Sequence, residues 1–68
     1  MQITVNLGVR PEADFGETLD LAEGAGLVLL ESDKDWRYAR GTVERSDLEK
    51  LYRIPGLAVE ADRPVTAI

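Results

Sequence analysis

Cysteine and histidine are both absent from the 68 residues. Without cysteine there are no disulfides and no thiolate ligands, two devices that commonly stabilise chains too short for a large core. Without histidine the chain lacks the usual general base, the Ser-His-Asp relay and the commonest zinc ligand. Neither catalysis of its own nor a metal or other cofactor is therefore expected. Basic residues are also scarce: 8 Lys plus Arg stand against 13 Asp plus Glu, a formal net charge of -5. That sign opposes the neutralisation of phosphates, so no nucleic-acid partner is expected. Long apolar runs are missing too. The longest uncharged one, Ala25 to Leu30, is far short of the ~20 residues that cross a bilayer, and no membrane partner is expected. Met1 is not followed by the basic and apolar blocks of a signal peptide. The chain as it stands reads as cytosolic, or as secreted where a signal peptide has been removed.

What is present is a clear alternation of periods. Ile3, Val5, Leu7 and Val9 alternate with Gln2, Thr4, Asn6 and Gly8, the mark of a half-buried strand. Arg10-Pro11 breaks it, and Phe15, Leu19 and Ala22 then follow at helical spacing, predicting a first helix over about Pro11 to Glu23. Glu12, Asp14 and Glu17 suit the positive end of its dipole. Gly24 and Gly26 stop the helix as a C-cap, and Leu27 to Leu30 reads as a short buried strand. Ser32 to Asp35 is a polar turn leading into a strand from Trp36 to Glu44, so the two strands form a hairpin. Ser46 with Glu49 has capping-box spacing, and Leu48, Leu51 and Tyr52 make the apolar stripe of a second helix. Pro55-Gly56 ends it, after which Leu57, Val59 and Ala61 alternate with Ala58, Glu60 and Asp62 in a last strand. The order βαββαβ predicts an α+β, ferredoxin-like sandwich: a four-stranded antiparallel sheet with both helices on one face. It occupies residues 1–62 as a single domain, with 63–68 as an extended C-terminal tail.

A sheet covered on one side leaves its other side to water or to a partner. Strand parity sends Glu60 and Asp62 to that open side, and it sends Trp36, Tyr38 and Arg40 there if Ala39, Gly41 and Val43 lie under the helices. Taken singly, the two carboxylates are a solvated pair, and either aromatic becomes a core residue if a bulge intervenes. Taken together, two aromatics and two carboxylates suit docking on another protein. The tail after Pro64 is uncharged and ends Val65-Thr66-Ala67-Ile68, a segment fit either to join a partner's sheet edge or to fray. Asp33-Lys34-Asp35 lacks the further ligands and glycine of an EF-hand loop and reads as a turn. Glu12, Glu17, Asp20 and Glu23 read as a solvated helix face.

From Gly24 to Ile68 the chain resembles the propeptides of subtilisin-type proteases and the related stand-alone protease inhibitors. The resemblance is carried by Gly24-Ala25-Gly26, Gly41-Thr42-Val43, Leu51 through Pro55, and above all Leu57-Ala58-Val59-Glu60-Ala61-Asp62 with a six-residue tail behind it. Pro64 and the β-branched Ile68 depart from the family's pattern. The resemblance implies a ferredoxin-like domain that inhibits a subtilisin-like serine protease as a substrate mimic, or assists its folding as an intramolecular chaperone. It further implies that the open sheet face packs on two protease helices, with Glu60 and Asp62 capping them. Val65, Thr66, Ala67 and Ile68 would then lie in the substrate cleft, with Ile68 in the primary specificity pocket. The alternative from another class is a ferredoxin-like regulatory module that binds a small ligand or pairs its open face with a second copy.

Overall fold

A computed structural model describes residues 1–61. The strands are β1 (Gln2–Val9), β2 (Val28–Asp33), β3 (Tyr38–Glu44) and β4 (Leu57–Ala61), and the helices are α1 (Phe15–Gly24) and α2 (Leu48–Tyr52), the latter entered through a 3-10 turn at Arg45–Asp47. The strands form one sheet in the order β2-β3-β1-β4 with every neighbouring pair antiparallel. β1 and β2 therefore run parallel with β3 between them, and β3 and β4 run parallel with β1 between them. Each half is a split βαβ unit, so the predicted ferredoxin-like α+β arrangement is the one found.

The core lies between the helices and one side of the sheet. Val5, Leu7 and Val9 from β1, Ala39 and Val43 from β3, and Leu57 from β4 meet Leu19 and Ala22 of α1, Leu51 of α2 and the loop residue Leu27, all buried. Removing each larger aliphatic side chain from water contributes roughly 1.5–3 kcal/mol against the entropy of ordering the chain. Gly41 is part of this packing rather than a weak spot. A Cβ there would stand 2.5 Å from the Val28 carbonyl oxygen and 2.9 Å from Leu27 Cδ1, so the bare backbone makes room for the chain entering β2.

Several expectations are corrected in detail. The first helix starts at Phe15, not Pro11, because Asp14 is its N-cap: its Oδ1 accepts from the Glu17 backbone N–H at 2.9 Å. The acidic residues of the expected stripe, Glu12, Glu17, Asp20 and Glu23, are all exposed. The expected C-cap stands at the end of α1, with Gly26 at φ +112. The capping box does not form. Ser46 lies in the 3-10 turn, Glu49 pairs instead with Arg53 at 2.8 Å, and α2 keeps five residues without a side-chain cap. Tyr52 points outward, 55% exposed, leaving Leu51 as the buried anchor of this short helix.

The largest correction concerns the hairpin. β2 is neither short nor buried: it runs to Asp33 along the sheet's edge, with Val28 and Leu30 53% and 60% exposed. Leu29 pairs with Gly41 and Glu31 with Arg40, so Leu30 is the extra residue of a bulge. Strict alternation would have set Glu31 opposite Ala39, on the helix-covered side. The bulge turns its charge outward and lengthens the strand. The turn consequently falls at residues 34–37, β3 begins at Tyr38, and Trp36 sits in the turn.

Candidate docking surface

The helix-free side of the sheet can be read row by row from the strand registers. One row runs Val28, Thr42, Thr4; the next runs Glu31, Arg40, Asn6, Glu60; the third runs Asp33, Tyr38, Gly8, Ala58. No helix of the described residues covers these positions, because both helices pack on the opposite side with the core. The described part of the open face carries Glu31, Asp33, Glu44 and Glu60 against Arg40 and the Met1 ammonium, which pairs with Glu44 at 2.8 Å, a locally acidic surface on an acidic chain.

Its relief comes from the third row. Tyr38 faces Gly8, which has no side chain, and Gly8 faces Ala58, which has a methyl group only. The Tyr38 hydroxyl donates to Asn6 Oδ1 at 2.9 Å, which draws the ring toward the second row. The result is a hollow of about 450 Å3 floored by Gly8 and Ala58 and bordered by Tyr38, Asn6 and Glu60. A Cβ added at Gly8 would meet nothing closer than the Ala58 Cβ at 3.9 Å, so the glycine leaves real space.

Of the residues singled out from the sequence, Tyr38 and Glu60 lie on this face, one strand either side of β1. Leu57 is buried and Val59 and Ala61 are half-buried on the core side, which is why Glu60 is driven outward. Trp36 does not join them. It is 81% exposed at the hairpin turn, where its backbone N–H is held by Asp33 Oδ1 at 3.2 Å. Asp62, Val65, Thr66, Ala67 and Ile68 lie outside the described residues. Gly8, Ala58 and Asn6, which alternation already sets opposite the core residues of their strands, carry no chemical flag as small and amide residues; their cross-strand adjacency to Tyr38 is what marks them.

The hairpin turn is tied to the adjacent end of β1 and the loop that follows it. Arg37 adopts φ +53, and its side chain donates to the carbonyl oxygens of Val9 at 3.0 Å, Arg10 at 2.7 Å and Ala13. The Val9 N–H in turn donates to the Arg37 carbonyl at 2.9 Å. Asp33 Oδ1 accepts from the Asp35 and Trp36 amides, so Asp33-Lys34-Asp35 is the turn expected of it. Among the described residues no group of three His, Cys, Asp or Glu side chains is placed to hold a metal ion, and no helix is long and apolar enough to cross a membrane. No family model, curated protein or solved structure matches this chain.

Proposed function

We propose that the domain is a substrate-like inhibitor, or an intramolecular-chaperone prodomain, of a subtilisin-like serine protease. It performs no chemistry itself. The observation that carries the reading is the uncovered face of the sheet, with Tyr38 and Glu60 on it and β4 at its edge. From β4 the sequence runs directly into Asp62 and the uncharged Val65-Thr66-Ala67-Ile68. In this reading the face meets the protease, Glu60 and Asp62 cap exposed helix N-termini, and the last four residues fill the substrate cleft as a product would. Trp36 contributes from the hairpin turn at the margin of the contact rather than from its centre. Because this chain is small and without cross-links, a partner also stabilises its folded form by mass action.

Deleting Val65 to Ile68 tests the proposal directly. Inhibition of a subtilisin, followed with a chromogenic peptide, is expected to weaken by orders of magnitude while the circular dichroism spectrum is kept. An inhibition constant equal to that of the full chain, or no inhibition by either, would overturn it.

A further inference from the structure

The hollow over Gly8 and Ala58 has a chemistry of its own, apart from whichever protein covers the sheet. Its floor is a glycine backbone and a methyl group, and one wall is the Tyr38 ring, held in place by the hydroxyl bond to Asn6. At the opposite border stands the Glu60 carboxylate, exposed and engaged in no ion pair among the described residues. Arg40, the cation of the same row, is separated from Glu60 by Asn6 and has Glu31 as its immediate cross-strand neighbour. The volume, about 450 Å3, falls in the range of pockets that take small organic groups.

We propose that this hollow is a receptor for an arginine side chain presented by a protein partner. Three features select that group. An aliphatic stem lies against the Ala58 methyl and the bare Gly8 backbone, where neither charge nor bulk opposes it. A planar guanidinium stacks on the face of Tyr38, an arrangement a lysine ammonium fills less well. The same guanidinium forks onto both oxygens of Glu60, taking the place of the helix N-terminus that this carboxylate caps in the protease reading. The carboxylate of Asp33, in the same row as Tyr38 and Gly8, adds a field that draws a cation to this end of the face and repels acidic side chains. A partner with an exposed arginine is thus complementary in shape and in sign.

The inference holds or fails without any protease being present. N-acetyl-arginine amide is titrated into the 15N-labelled full chain, with the neutral isostere N-acetyl-citrulline amide as control. Saturating shifts of the Gly8, Tyr38, Ala58 and Glu60 amides are expected with the arginine probe. Citrulline amide, and arginine amide on Glu60→Gln, are expected to bind roughly five-fold more weakly, the scale of one exposed ion pair. Gly8→Val fills the floor without a backbone clash and is expected to abolish the shifts while the spectrum stays dispersed. Equal response to citrulline, undiminished binding to Gly8→Val, or shifts spread over the acidic face of α1 at Glu17, Asp20 and Glu23 would overturn the assignment.

Discussion

Arg37 joins three carbonyls from one stretch of chain: Val9 at the end of β1, and Arg10 and Ala13 in the loop before α1. Its left-handed φ is tolerated because these charge-assisted bonds offset the steric cost. Arg37→Ala leaves the strained backbone and removes the compensation, so unfolding free energy from urea titration is expected to fall by about 2 kcal/mol. Arg37→Gly relieves the φ and is expected to lose less than Arg37→Ala. Gly41 presents the opposite case, a residue needed for what it lacks. Its added Cβ would meet the Val28 carbonyl backbone, which cannot swing away as a side chain can, so Gly41→Ala must separate β2 from β3. A loss of at least about 2 kcal/mol is expected, with earlier hydrogen exchange in β2 than in β1.

At the scale of elements, α1 and α2 are unequal. α1 has ten residues, an Asp14 cap, and Thr18 buried with its hydroxyl donating to the Asp14 carbonyl at 2.7 Å. α2 has five residues and no side-chain cap, and one fully buried leucine holds it to the sheet. Asp14→Ala is expected to lower stability by about 1 kcal/mol in a thermal or urea melt. Ser46→Ala is expected to change it little, since Ser46 caps nothing here. The capping-box pattern at Ser46 was legible and misleading for a physical reason: sequence spacing describes a local option, and the 3-10 turn that brings Leu51 onto the core takes precedence over it.

For the whole molecule the relevant quantity is the uncovered side of the sheet. It is polar in its middle rows, where Thr42, Thr4, Arg40 and Asn6 lie, and its exposed aliphatic residue Val28 stands on the edge strand β2. A stable two-fold pairing of such faces would bring carboxylates against carboxylates, with Arg40 the arginine that each copy's described residues offer to offset them. Sedimentation velocity at micromolar concentration is therefore expected to show a monomer at all loadings. A tight, concentration-dependent dimer would favour the self-association reading over protease docking.

The element order and much of the core were determined by the sequence alone. A period of two along β1 and β4, helical spacing at Phe15, Leu19 and Ala22, and breaks at Arg10-Pro11 and Pro55-Gly56 are local signals. They bind each segment to one form and one buried face whatever surrounds it. The parity that sends Glu60 outward belongs to the same class. The tertiary structure decided the remainder: the bulge at Leu30 that moved the turn and took Trp36 off the sheet, the three carbonyls that Arg37 finds, and the hollow where Tyr38, Gly8 and Ala58 stand side by side. Each depends on register between strands distant in the chain, set by how side chains fill a shared core. No window of neighbouring residues contains that information.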